Sequence, residues 1–299
     1  MTPAHLVDAS LYVFRAYYAQ ADAVTATDGR PVGAVHGFTR FLLDLLERAR
    51  PSHAAVAFDE SLTTSFRNAI YPAYKANRDP APEELKAQFA DCRAVAEALG
   101  LTVLRDATYE ADDLIGSALM ALRTCGHASV IVSADKDFGQ LIGDADAQWD
   151  PPRGLRWDAD GVEQRLGVRP SQVADFLALM GDSTDNIPGV PGIGAKTAAA
   201  LLRHFGTLDA LLERIDEVRW LRVRGAAATA ARLREHAAQA RLSRALSGIA
   251  LDAPVPKAAA GYQRRAIDGD ALDRLCEQLR MGPMTRARMR SLGDAAPAG

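Results

Sequence analysis

The chain of 299 residues has only three cysteines, Cys92, Cys125 and Cys276, widely spaced and without a CxxC pair. That excludes a disulfide-built fold and a cysteine zinc site, and it fits a reducing cytoplasm. No apolar run approaches the length needed to span a bilayer, so no membrane partner is expected. The N-terminus, MTPAHLVDAS, has no charged segment followed by a long apolar one, so no signal peptide is expected. The positive excess of a nucleic-acid-binding protein is also missing, because the formal net charge is -3. What is present is ordinary globular material, 48% hydrophobic and 24% charged, long enough for one large domain or a domain with a smaller one appended.

Up to about residue 150, short apolar runs alternate with amphipathic stretches. HLVDA (5–9), AAVAF (54–58), LTVL (101–104) and SVIVSA (129–134) predict buried strands. Residues 34–50, 82–100 and 111–126 predict helices, the last two ending in glycine. Strands separated by such helices imply a parallel α/β sheet, with any ligand at the carboxyl ends of the strands. Beyond about 160 the chain predicts helices over 171–181, 195–206, 207–215 and 226–246, a linker near 252–261 and a frayed tail over 291–299.

Nine acids fall at these element ends. Asp8 closes the first strand, Asp59 the second, and Asp135 and Asp137 follow the SVIVS run. Glu110, Asp112 and Asp113 open a helix, and Asp182 and Asp185 lie in the turn GDSTDN. Singly, each has an ordinary explanation as a helix cap, a first-turn acid or a turn residue. Together they should converge, because the strand ends of a parallel sheet share one edge. Crowded carboxylates repel and retain protons unless cations relieve them. An oxygen-only set with no nearby His or Cys favours Mg²⁺ or Mn²⁺, and two such ions suit phosphodiester hydrolysis. Setting the nine aside leaves 29 acids against 35 bases, a surplus of +6, which restores a nucleic-acid partner.

Five runs, LVDASLYVFRAYYA, FDESLTTSFRNAIYPAYKANRDPAPEEL, YEADDLIG, VSADKDFGQL and GDSTDNIPGVPGIGAKTAAALL, together resemble the 5′-nuclease family. That family includes flap endonucleases and the 5′–3′ exonuclease domain of bacterial DNA polymerase I. The resemblance implies a PIN-like α/β catalytic domain over 1–165, a helical arch near 66–90, and a helical region over 166–299. A helix–hairpin–helix or helix–two-turn–helix clamp would occupy about 171–215. It places the metal ligands on all nine acids: Asp8, Asp59, Glu110, Asp112 and Asp113 for one ion, and Asp135, Asp137, Asp182 and Asp185 for the other. Asp113→Asn is accordingly expected to suppress cutting more than binding. The implied partner is DNA with a 5′ flap or free 5′ end, or an RNA:DNA hybrid. The enzyme is expected to act as a monomer alongside a DNA polymerase in replication or repair.

The segment 66–80 groups Arg67, Tyr71, Tyr74, Lys75 and Arg78, several of them on one helical face. Lys and Arg can hold a phosphate and Tyr can stack on an unpaired base. The resemblance puts Lys75 and Arg78 at the base of the arch, where they would stabilise the transition state. Arg67 and Tyr74 are expected to contact DNA, as is Arg15, with Tyr17 and Tyr18 beside it. Gly192 and Gly194 allow backbone amides to approach a phosphate at a helix start, with Lys196 and Thr197 adding contacts. By resemblance the turn carbonyls would hold K⁺. A PIN-type ribonuclease and a non-catalytic DNA-structure binder are the alternative readings.

Overall fold

The computed structural model describes residues 2–20, 24–60 and 64–294. The end of the tail expected to fray, 295–299, lies outside the described residues. Strand β1 (Ala4–Asp8) leads into α1 (Ala9–Gln20) and α2 (Gly33–Ala49). Strand β2 (Ala54–Ala57) is followed by α3 (Phe66–Ile70) and α4 (Glu83–Ala98). Next come β3 (Thr102–Leu104), α5 (Ala111–Thr124), β4 (Ser129–Val132) and a 3₁₀ turn over Lys136–Leu141. Two further strands, β5 (Ala147–Asp150) and β6 (Leu155–Trp157), complete a sheet ordered β3-β2-β1-β4-β5-β6. All neighbours are parallel except β5 and β6. The chain steps from β1 to one side and returns to β4 on the other, so a crevice opens beyond their carboxyl ends.

Alternation along the strands assigns the two faces. Ala4, Leu6, Ala55, Ala57 and Ile131 face one core, while Val7, Ala54, Val56, Val130 and Val132 face the other. That period of two is what a strand covered on both faces requires. The first core takes in α5 and the helices that follow the sheet: α6 (Ala159–Leu166), α7 (Val173–Met180), α8 (Ala195–Phe205), α9 (Leu208–Glu213), α10 (Ala226–Glu235) and α11 (Ala237–Ser247). The helix expected over 226–246 is therefore two, broken at His236.

The region from 166 onward does not form a separate unit to its end. After α11 an irregular strap crosses α5, where a Cβ at Gly116 would collide with Ile249 and Leu251. The Ala250 and Ala253 amides bond to Asp113 and Ser117 of α5. The chain then adds α12 (Gly269–Gln278) and α13 (Pro283–Asp294) to the sheet's other face. Leu272, Cys276, Met289 and Leu292 pack there, and Arg288 pairs with Asp44 and Glu47 of α2. Residues 269–294 thus belong to the core of the sheet domain.

His5 is buried in β1, with its Nδ1 3.1 Å from the Pro3 carbonyl. Burial lowers its pKa from 6.5 to about 4, against the pull of that carbonyl. The folded state therefore resists a proton that the unfolded chain accepts, and stability is lost as pH falls from 6.5 towards 4. The loss at full protonation of the unfolded chain is about 3 kcal/mol. His5→Gln should lack this component. The free-energy gap between wild type and the variant, followed by urea unfolding, should shift by that amount in the variant's favour between pH 7 and pH 4.

Candidate active site

The strand ends carry their acids to the crevice. Asp8 accepts from the Leu11 amide at 3.2 Å and from the Ser133 hydroxyl at 2.8 Å. Asp59 accepts from the Ala111 amide at 2.8 Å, and Asp135 from the Asp137 amide at 3.0 Å. Asp8 and Asp135 thus cap the turns they open and Asp59 holds the first amide of the distant α5, but each uses only part of the carboxylate's lone pairs. Burial first, then the charge of Asp59, pushes the Asp8 carboxyl up to about 7, with Asp135 adding and the two hydrogen bonds opposing. Burial, Asp135 and Asp8 raise Asp112 well above the carboxylate range. Burial and Asp135 push Asp137 up to about 7 despite Lys136. Acids from β1, β4 and the start of α5 therefore act on one another across the crevice.

The second group hangs from the turn after α7. Asp182 pairs with Lys136, which also lies 3.2 Å from Asp137. Burial raises the Asp182 pKa, but the hydrogen bond and charge of Lys136 and the Thr184 hydrogen bonds together outweigh it, and the group ends below its usual range. Asp185 takes the Arg78 guanidinium and stands 3.9 Å from the Lys75 ammonium. Lys75 also bonds Glu110 at 2.8 Å, and its amide donates to the Asp185 carbonyl at 3.0 Å. Its backbone adopts φ 54°, held there by these contacts. Burial works against its charge, yet Glu110, Tyr74 and Asp185 prevail and keep it firmly an ammonium. Asn77 and Asn186 tie the two loops together through the Ser183 and Ala73 carbonyls. Lys75 and Arg78, expected to stabilise the transition state, are here in direct contact with Glu110 and Asp185 of the acidic edge.

Three other expected contacts have different roles. Arg67 is 3% exposed and holds Asp113 by two bonds, 2.7 and 2.8 Å. Its remaining donors go to Glu110 and to the Leu246 and Gly248 carbonyls. No donor is left for a phosphate, so Arg67 is a buried strut joining α3, α5 and the end of α11. Tyr74 is likewise buried, with its hydroxyl donating to Glu110 at 3.0 Å, so its ring cannot stack on a base. Arg15 is tied to the fully buried Asp150 at 3.1 Å. Asp113 itself is fully buried, with oxygens taken by Arg67 and by the Glu110 and Ala250 amides. It supports the acids on either side of it and has no free face for an ion.

Beside the acids lies a cleft of about 870 Å³ whose lining includes Asp59, Lys75, Arg78, Lys86, Phe89 and Arg93. Lys86, Phe89 and Arg93 follow one face of α4 at intervals of three and four. The spacing was visible in the sequence, but nothing there showed which way the face turned. Ser10 and Ser133, which brace Asp59 and Asp8, gave no signal at all. Farther along, Gly192 has φ 74° and is exposed, as are Gly194 and Lys196, while Thr197 is half-buried at the start of α8. The hairpin thus presents an open helix start of the kind that suits a phosphate.

Among the described residues no three of these carboxylates are gathered into a group ready to hold one ion. The chain's own cations, Lys75, Arg78 and Lys136, pair with four of them instead: Glu110, Asp137, Asp182 and Asp185. Asp112 makes no hydrogen bond or ion pair among the described residues. The buried Asp137 Oδ1 has no hydrogen bond either, the nearby Lys136 being misaligned. An oxygen-only set with unsatisfied, mutually repelling carboxylates fits a hard divalent cation.

Two family models cover the chain: the N-terminal resolvase-like domain of 5′–3′ exonuclease over residues 3–167, and its C-terminal SAM fold over 168–270. DNA polymerase I of Rhizobium leguminosarum is 40% identical over 257 residues, 84% of this chain and 25% of that protein. DNA polymerase I of Pseudomonas aeruginosa is 42% identical over 251 residues, 84% of this chain and 27% of that protein. The chain therefore spans about a quarter of the length of these relatives. Among solved structures, T5 5′-exonuclease with bound zinc superimposes with a TM-score of 0.66 at 18% identity, covering 98% of both chains. The catalytic core of Rad2 with DNA substrate gives 0.64 at 14%, covering 97% of this chain and 91% of that one. At such identities these two speak for the fold.

Proposed function

The chain belongs to the 5′–3′ exonuclease family, and from that premise we propose that it is a structure-specific 5′-nuclease of DNA. The observation that carries the reading is the convergence of acids from separate chain segments on the crevice beside a cation-lined cleft. The substrate is DNA with a 5′ flap or a free 5′ end, with RNA:DNA hybrids also accepted. The protein works as a cytoplasmic monomer, in step with a DNA polymerase, during Okazaki-fragment processing or repair.

Asp8, Asp59, Glu110, Asp112 and Asp135 are the residues that would hold one ion, and Asp137, Asp182 and Asp185, sharing Asp135, the other. Mg²⁺ or Mn²⁺ supplies the charge that activates a water and stabilises the leaving oxygen in phosphodiester hydrolysis. Lys75 and Arg78 line the same cleft and would take the non-bridging oxygens of the scissile phosphate. Their present carboxylate partners, Glu110 and Asp185, are among the residues that would hold the ions. Gly192, Gly194, Lys196 and Thr197 bind the duplex backbone without reading bases, and the turn carbonyls hold K⁺.

Incubation with a 5′-flap duplex, single-stranded RNA and Mg²⁺, with EDTA as the control, tests this reading. Flap cutting abolished by EDTA is expected. Cutting of RNA alone would make the protein a ribonuclease, and binding without cutting a non-catalytic binder.

Asp8 and Asp137, held near 7, are uncharged more often in the folded than in the unfolded chain. In the metal-free protein they favour folding at low pH, and that contribution fades as pH rises from about 4 to 7. Divalent ions should restore it. Millimolar Mn²⁺ is expected to raise the melting temperature by roughly 5 °C at pH 8 and by much less at pH 5.5. Scanning fluorimetry at the two pH values checks this.

A further inference from the structure

From Arg219 to Arg244 the chain carries seven arginines, no lysine and a single acid, Glu235. None of these arginines reaches the acidic crevice. The run starts on the 3₁₀ turn Ile215–Trp220, where Val218 is fully buried, as is Leu233 of the neighbouring α10. With Val218 fixed inward, Trp220 is turned out and is 80% exposed, with the Arg219 guanidinium 6.0 Å from its ring centre. An exposed indole beside a guanidinium group offers a flat face on which a sugar or base can stack. Arg219 and Arg234 share the single carboxylate of Asp216. Arg222, Arg224 and Arg232 are exposed and make no ion pair among the described residues. On its other side α10 meets the glycine hairpin, where the Arg232 guanidinium fills the space a Cβ on Gly192 would need. The helix therefore connects the exposed tryptophan loop to the phosphate-binding turn.

We propose that Trp220, Arg222 and Arg224, joined to the hairpin through Arg232, form a second backbone-binding surface for duplex DNA. The inference rests on the reading of the chain as a DNA enzyme and extends its footprint. Charge selects the partner, since free guanidinium groups around an aromatic ring complement phosphates and the flat face of a sugar or base. The seven residues from the start of α10 to Arg232 span about 10 Å, or roughly three nucleotides along one strand. A duplex seated on the hairpin would meet the loop within half a helical turn. No base edge is read, so the surface adds affinity and salt dependence without sequence preference.

The test is the triple variant Trp220→Ala/Arg222→Ala/Arg224→Ala, compared with wild type by fluorescence anisotropy. Flap DNA with 8- and 20-base-pair arms is titrated in EDTA at several salt concentrations. On the long arm the variant should bind about tenfold more weakly, with a log Kd against log salt slope smaller by about two. The difference should shrink on the short arm, and kcat at saturating substrate with Mg²⁺ should stay at the wild-type value. Unchanged affinity and slope would overturn the proposal, as would wild-type protein that binds no duplex. Because binding is read in EDTA, failure of the nuclease reading shows up separately, as wild type that binds but does not cut in Mg²⁺. Circular dichroism matching wild type confirms that the variant is folded.

Discussion

Asp112→Asn should lower flap cleavage at least about 10³-fold, equivalent to about 4 kcal/mol of transition-state stabilisation, while flap binding stays within a few-fold of wild type. Asp112 opens α5 half-buried, without a hydrogen bond or ion pair among the described residues, and faces Asp8 and Asp135. No described residue pairs with it, and only the more distant charge of Lys75 offsets its repulsion by Asp135, Asp8 and Asp59, so its contribution is made to something the protein binds. The same reasoning gives the variant a second signature. Removing an unpaired carboxylate relieves repulsion, so the metal-free Asp112→Asn protein should melt at a higher temperature than wild type. The Mn²⁺-induced rise should shrink. A residue kept for stability would show the reverse, and scanning fluorimetry beside single-turnover cleavage separates the two.

Arg67→Met should destabilise the protein by about 3–5 kcal/mol, because it leaves the fully buried Asp113 without its partner. Chemical unfolding reads this directly. The loss comes from the stranded carboxylate more than from the missing bonds, so adding Asp113→Leu should recover a large part of it. Asp113→Asn should lower cleavage and stability together, unlike Asp112→Asn, because it weakens the bidentate grip on Arg67. The two variants would thereby separate the adjacent acids of the run YEADDLIG into an ion ligand and a partner of Arg67. Wild-type stability in Asp113→Asn would contradict this division.

Asp112 and Asp113 are indistinguishable in the sequence. The acids at β1, β2 and β4 were legible because apolar strands in a parallel sheet end on one edge, so position along the chain fixed position in space. The α5 group was legible through the helix start that orients it. The partner of Asp113 was not, since Arg67 lies 46 residues away and a basic residue near acids looks the same whether it serves a phosphate or a carboxylate. Tyr74 was misread for the same reason, as an aromatic ring carries no mark of which way it turns. Strands β5 and β6 escaped because Gln148 and Asp150 are polar yet buried, which hides the apolar signal. The strap over α5 and the return of α12 and α13 depend on tertiary contacts with no local pattern. The arginine run after Arg219 was hidden by the overall charge of -3, which averages a basic surface against an acidic crevice.

The central claim is that these acids hold two divalent ions. Anomalous diffraction from a crystal of the wild-type protein soaked in Mn²⁺ tests it most directly. Two peaks are expected, one within coordination distance of Asp8, Asp59 or Asp112 and one of Asp137, Asp182 or Asp185, with Asp135 between them and Asp113 still on Arg67. A crevice without anomalous density at saturating Mn²⁺, its carboxylates still paired with Lys75, Arg78 and Lys136, would contradict the account.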